Sequence, residues 1–137
     1  MEDICIFTPT YNRAHTLSLL FESLVGQNSQ RFYWLVVDDG STDETEALIK
    51  RFSLASPFRV VYVKQENGGK QRAYNTGVEH CESELFFCVD SDDVLVPSAV
   101  ETILNAWEAY RADASVAGLV GLCGRDENTP LGTGMPQ

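Results

Sequence analysis

Three aspartates, Asp90, Asp92 and Asp93, crowd into four positions at the end of the apolar run in FFCVDSDDV (86–94). Anions this close repel one another, and no basic residue stands beside them in the sequence. Hard carboxylate oxygens at the tip of a strand suit Mg2+ or Mn2+. Such ions take one or two carboxylates and complete their shell with water and substrate phosphate. A dication would remove the repulsion and let an acidic protein hold a diphosphate. The bland alternative is a hydrated acidic loop that caps the next helix. A calcium EF-hand is excluded, because Leu95 stands where its loop requires glycine.

Three more polar clusters follow apolar runs in the same way: TPTYNR (8–13), DDGSTD (38–43) and ENGGK (66–70). In the first, Tyr11 is a candidate aromatic wall for a base; the competing reading is a Pro9 turn with Asn12 or Thr16 capping a helix. In the second, a turn and a capped helix account for Gly40 and Ser41. Asp38 and Asp39 follow WLVV directly, however, so at least one points into the rim. There a carboxylate accepts from an imide N–H or a sugar hydroxyl. In the third, Lys70 and Arg72 open a helix after two glycines, a natural seat for a diphosphate, against the alternative of a tight turn with solvated bases. The spacing fits neither GxxxxGK[ST] nor GxGxxG.

The elements that must position these clusters alternate in period. DICIFTP (3–9), FYWLVVDD (32–39), FRVVYVKQ (58–65) and ELFFCVD (84–90) have the apolar character of buried strands. Between them, Leu17, Leu20, Phe21 and Leu24 mark one amphipathic helix ending near Gly26. Leu48, Ile49 and Phe52 mark a second, opened by Ser41 and Glu44 in capping-box spacing. GGKQRAYNTGVEHC supplies a third, and Val100, Ile103, Leu104 and Trp107 a fourth, with Pro97 in its first turn. SVAGLVGLCG (115–124) is expected as a fifth strand, and the tail RDENTPLGTGMPQ loses all periodicity. Strand–helix alternation of this kind gives a mostly parallel sheet covered on both faces. In such sheets ligands bind outside the carboxyl ends of the strands, so the four clusters share one rim.

Composition bounds the rest. With 137 residues the chain supports one domain, and 44% hydrophobic residues make it globular. No apolar run approaches a membrane span, and the acidic start MEDICIF lacks a secretory n-region, which predicts a cytoplasmic protein. A net charge of −10 disfavours nucleic acid and anionic lipid as direct partners. Cys5, Cys81, Cys88 and Cys123 form no CxxC pair and are expected as small buried hydrophobes.

With these loops together, the sequence resembles a family 2 glycosyltransferase of the GT-A fold. The resemblance is carried by TPTYNR (8–13), VVDDGSTDET (36–45), NGGKQRAYNTG (67–77) and VDSDD (89–93), in the family's order and spacing. It implies an α/β fold with a mostly parallel, Rossmann-like sheet flanked by helices. It also implies a nucleotide-sugar donor, most often a UDP-sugar, and inverting transfer to a saccharide or lipid-linked acceptor in polysaccharide or cell-envelope synthesis. By position, Pro9, Tyr11 and Asp39 would contact the base, and Lys70 or Arg72 the diphosphate. Asp90 and Asp92 would serve the ribose and metal as the DxD motif, with Asp92 and Asp93 as the alternative ligand pair for Mg2+ or Mn2+. Two departures stand out. The family often carries Arg before NxG, where this chain has Tyr74. Its catalytic base is an Asp or Glu in a later segment, expected beyond Gln137, so no residue of this chain is nominated for that role. Residues 1–137 are then expected to form the donor-binding part of one GT-A domain, with membrane association, if any, through other regions. The rival readings are a non-catalytic nucleotide-binding module and, at the letter level of DSDDV, a haloacid dehalogenase-type phosphatase. The latter needs a downstream Lys, and none follows Asp93.

Overall fold

A computed structural model describes residues 2–113, 115, 124–126 and 129–130. The strands β1 (Ile4–Thr10), β2 (Phe32–Asp38), β3 (Val60–Lys64) and β4 (Leu85–Cys88) alternate with the helices α1 (Ala14–Val25), α2 (Thr45–Ala55), α3 (Lys70–His80) and α4 (Ala99–Tyr110). The four strands form one sheet in the order β3-β2-β1-β4, and every neighbouring pair is parallel. β5 (Gly124–Asp126) and β6 (Thr129–Pro130) make a separate antiparallel pair. The parallel sheet with helical crossovers is the architecture the alternating periods predict.

The pleat sorts the strands' side chains into two cores. Ile4, Ile6, Phe32, Trp34 and Val36 face α1 and α2, meeting Leu17, Leu20, Leu24, Ile49 and Phe52, and Val100 of α4 joins them. Cys5, Phe7, Tyr33, Leu35 and Val37 face α3. β2 is buried on both faces, which explains why FYWLVV is continuously apolar and does not alternate. Each large side chain fully buried here contributes about 1.5–3 kcal/mol. Phe21 stacks on Phe52 at 4.2 Å between ring centroids. On the other face α3 lies close against the sheet at Gly77, where a Cβ would meet Phe7 at 2.6 Å. Burial of the Cys5 thiol in that core pushes its pKa up to about 12, so it is an inert packing group.

Register decides where the polar loops emerge. Thr10 pairs with Asp38, so β1 and β2 end level. β4 is shorter, with Cys88 opposite Phe7, and Val89 N–H still donates to Phe7 O at 2.8 Å. The acidic loop therefore begins beside the last residues of β1. α1 and the turn after it then clamp that loop by its backbone. Thr16 Oγ1 donates to Ser91 O, Ser23 Oγ accepts from Leu95 N–H, and Gln27 both donates to Val96 O and accepts from Val100 N–H. None of these bonds uses an acidic side chain.

Several sequence expectations need correction or fall outside the description. The Ser41–Glu44 capping box does not form, because α2 starts at Thr45. Ser41 Oγ is instead drawn to Asn12 N–H, and Asp43 Oδ1 receives Thr45 N–H. Pro97 precedes the first turn of α4, which starts at Ala99, since Pro97 O is held by Asn28 N–H in a turn before the helix. The expected strand 115–124 lies outside the described residues except for Ser115 and Gly124, as do Cys123 and most of the tail through Gln137. Among the described residues, no helix is long and apolar enough to cross a membrane.

Candidate functional site

β1 continues to β2 on one side and borders β4 on the other, so the strand order reverses between β1 and β4. Crevices in open parallel sheets form at this switch point. An open cleft of about 350 Å³ lies there. β1 and the turn after it contribute Pro9, Thr10, Tyr11 and Arg13, the exit of β2 gives Asp39, α3 gives Lys70 and Ala73, and the loop after β4 gives Asp90, Ser91 and Asp92.

The carboxylates at the end of β2 are held by internal donors. Asp38 is wholly buried, its Oδ1 accepting from Ser41 N–H and its Oδ2 from the Tyr62 hydroxyl. Burial, then the hydrogen bond to Asp38, raises the Tyr62 phenol so that it stays a donor. Asp39 Oδ1 accepts from Gln65 Nε2 at 2.9 Å and Gly68 N–H at 2.8 Å, and its Oδ2 from Gly69 N–H at 2.9 Å. Gly69 has φ 93°, which points its N–H at Asp39 just before α3 starts. Burial alone would raise the Asp39 pKa; the three donors and the Arg72 charge outweigh it and hold the carboxyl below the ordinary range. One side chain thus fixes the loop that delivers Lys70 and retains acceptor capacity on Oδ2.

Asp43 joins two helix starts, accepting from Ala14 N–H at the head of α1 and from Thr45 N–H at the head of α2. Burial would raise its pKa as well, but these hydrogen bonds outweigh it and the value is lowered. Beside it, Asn12 adopts φ 51°, donates its N–H to Ser41 and accepts from Thr42 N–H on Oδ1. This brace sets the direction of Tyr11, which is 48% exposed over the cleft.

The carboxylates after β4 contrast with these. Asp90, Asp92 and Asp93 each offer an oxygen, and these atoms lie within 4.8 Å of one another. Among the described residues no hydrogen bond reaches their side-chain oxygens, and the one cation paired with the cluster is Lys70, whose Nζ stands 3.2 Å from Asp90 Oδ1. Burial, then the charges of Asp92 and Asp90, raise the Asp93 pKa. The group fits a small hard dication. Ligands at about 2.0–2.1 Å in octahedral geometry sit roughly 3–4.2 Å from one another, within reach of small side-chain rotations here. Lys70 already supplies part of the positive charge such a cluster calls for.

Of the residues the sequence nominated, Pro9, Tyr11, Asp39, Lys70, Asp90 and Asp92 line the cleft together. Asp93 sits in the acidic cluster without lining the cleft. Arg72 is also outside the lining. Its side chain folds back over Gly68, where an added Cβ would meet its Cδ at 2.4 Å. Tyr74, at the departure from the family pattern, turns toward the sheet, packing edge-on to Phe7 at 5.2 Å. No catalytic base was nominated within residues 1–137, and none is assigned among the described residues. Sequence reasoning missed Arg13, Thr10, Ala73 and Ser91. Arg13 closes the TPTYNR stretch and had a signal, namely a charge two residues after Tyr11. Ala73 and Ser91 had none, because their place follows from how α3 and the acidic loop pack.

Comparison with known proteins follows the same lines. The family model described as glycosyl transferase family 2 matches residues 5–134. Glycosyltransferase GlyA of Streptococcus pneumoniae serotype 4 is 34% identical over 115 residues, covering 84% of this chain and 16% of that protein. The structure of S. aureus TarS 1–349 in complex with UDP-GlcNAc superposes with a TM-score of 0.71 at 26% identity, over 81% of this chain and 32% of that one. The mannosyltransferase PcManGT from Pyrobaculum calidifontis, in complex with GDP-Man and Mn2+, gives 0.70 at 26% identity, over 83% and 33%. The chain therefore spans a sixth to a third of the length of these proteins, and the sheet it forms is that of the GT-A fold. A parallel sheet with an acid-tipped fourth strand, and a family match running from Cys5 nearly to the last residue, lead to one conclusion: this chain belongs to glycosyl transferase family 2.

Proposed function

We propose that this chain is the nucleotide-sugar-binding part of an inverting glycosyltransferase that uses a divalent metal and, as donor, a UDP-sugar. The observation that carries this reading is the convergence of Asp90 and Asp92, with Asp93 beside them, and of Lys70, Asp39 and Tyr11 on one crevice at the switch point of the sheet, three clustered carboxylates facing one cation. The relatives add support, since the two solved structures hold UDP-GlcNAc in one case and GDP-Man with Mn2+ in the other. Family membership displaces the phosphatase reading.

Tyr11 and Pro9 form the wall for the base, and the open acceptor capacity of Asp39 receives an imide N–H. Asp90 serves the ribose side, while Asp92 and Asp93 hold Mg2+ or Mn2+. Lys70 lies at the start of α3, where its ammonium and the helix end favour the diphosphate. When bound, the metal neutralises charge growing on the leaving diphosphate in a single displacement at the anomeric carbon. This chain's residues orient the donor and stabilise the leaving group. Deprotonation of the acceptor hydroxyl is assigned to none of the described residues. The acceptor class is a saccharide or lipid-linked saccharide, and the working site is the cytoplasm or the cytoplasmic face of the membrane.

Isothermal calorimetry with UDP and GDP, in Mn2+ and in EDTA, tests the reading. UDP is expected to bind in Mn2+ and to weaken at least tenfold in EDTA. Equal affinity in both buffers would remove the metal from the account, and preference for GDP would change the donor.

A further inference from the structure

The ion pair between Lys70 and Asp90 crosses the crevice from the start of α3 to the loop after β4. Its two side chains are 65% and 44% exposed, so neither is locked in place by packing. Asp90 belongs to the acidic cluster, whose three carboxylate oxygens lie within 4.8 Å of one another, so the ammonium 3.2 Å from Asp90 Oδ1 stands close to all three. The ammonium is therefore part of the electrostatic balance of the cluster as it stands, with three carboxylates facing one cation. A dication drawn to the same oxygens meets that cation as a competitor.

We propose that Lys70 is a tethered counter-ion that couples metal binding to nucleotide binding. In the nucleotide-free protein it holds Asp90 and weakens the attraction of the cluster for Mg2+ or Mn2+. When metal and nucleotide arrive together, Lys70 leaves Asp90 and pairs with the diphosphate. The cluster then takes the metal and the diphosphate takes the lysine, each left with about one negative charge. The charges fit this exchange. Three carboxylates and the two negative charges of a nucleotide-sugar diphosphate are matched by one dication and one ammonium to within two units, whereas metal and lysine crowded on the same oxygens would leave the diphosphate unpaired. The α3 start makes the move short, because Gly68 and Gly69 bring the backbone to the rim and the four-carbon stem swings without moving the helix. Coupling is reciprocal, so the nucleotide raises metal affinity by the factor by which metal raises nucleotide affinity. The inference rests on the metal-dependent donor site proposed above and adds the role of Lys70 within it.

Electron paramagnetic resonance titration of free Mn2+ into the whole chain, with and without UDP, provides the test. Wild type is compared with Lys70→Met, which keeps the stem without the charge, and with Lys70→Arg, which keeps the charge. Without UDP, the Met variant is expected to bind Mn2+ about two- to fivefold more tightly than wild type, the range of a partly exposed ion pair. The Arg variant is expected to match wild type. With UDP present, the advantage of the Met variant should vanish or reverse, so that the coupling factor shrinks. If Mn2+ affinity without UDP is unchanged or weaker in Lys70→Met, while wild type still binds Mn2+ and UDP together, the counter-ion role is overturned and the donor site stands. If wild type binds no Mn2+ even with UDP, the donor-site reading itself falls.

Discussion

The loops after β2 and after β4 are both rich in aspartate, yet they solve opposite problems. At and just after the end of β2, Asp38, Asp39 and Asp43 each accept two or more hydrogen bonds, and the last two have lowered pKa values. They are structural anions, holding helix starts and the rim of the cleft. After β4, three carboxylates share one lysine and no hydrogen bond among the described residues, and Asp93 is raised. The backbone of that loop is clamped by α1 and the turn after it, while its three charges face a single lysine. The same residue type is a brace in one loop and, in the reading proposed above, a seat for a cation in the other, and the difference lies in the number of donors that reach it.

The largest effect that separates the two loops should come from the metal cluster. Asp92→Asn is expected to lower Mn2+-dependent UDP affinity on the order of 100-fold, or about 2.7 kcal/mol, with the melting temperature unchanged. Calorimetry and a thermal melt on the same sample check both halves. A fall in stability with affinity intact would make the β4 loop a brace as well. Next, Asp43→Ala removes the acceptor at two helix starts and should cost about 2 kcal/mol, a drop in melting temperature on the order of 5–10 °C. If that variant melts like wild type but no longer binds Mn2+, the comparison fails.

A third effect is seen in acid. Asp39 and Asp43 have folded-state pKa values below the unfolded value of about 3.9, so the unfolded chain binds more protons in that range. The stability they contribute is present above about pH 4 and is lost as the pH falls through their folded values. Melting temperatures between pH 7 and pH 3 should therefore fall more steeply for wild type than for an Asp39→Asn, Asp43→Asn double variant. Parallel curves would show that these carboxylates are not depressed. The smallest effect is expected from Asp93→Asn, which removes like-charge repulsion from an exposed position. It should stabilise the metal-free protein at pH 7 by less than about 0.5 kcal/mol, read as a slightly higher denaturation midpoint. A loss of stability would mean that Asp93 has a donor.

Most of the sheet was legible because its signals were continuous apolar runs and amphipathic stripes. FYWLVV admits little but a strand buried on both faces, and Leu17, Leu20 and Leu24 fix the inner face of α1. The rim followed, since four strand ends with polar residues must converge if the strands are parallel. Cap chemistry was less legible. Ser41 and Glu44 have capping-box spacing, but the choice of partner was made by Asn12, 29 residues away in sequence. Long-range competition for a hydroxyl leaves no local trace. Arg72 shows the same limit. Its charge sits at the right helix start, yet packing over Gly68 turns it out of the cleft. The sequence also hid the Lys70–Asp90 pair, which depends on the close approach of α3 to the loop after β4.

The most direct measurement is anomalous diffraction at the manganese edge from crystals holding Mn2+ and UDP. The account predicts a single metal peak within coordination distance of Asp92 or Asp93 and of a diphosphate oxygen, with Lys70 turned away from Asp90. Nucleotide seated in the crevice with no peak at those aspartates would contradict it.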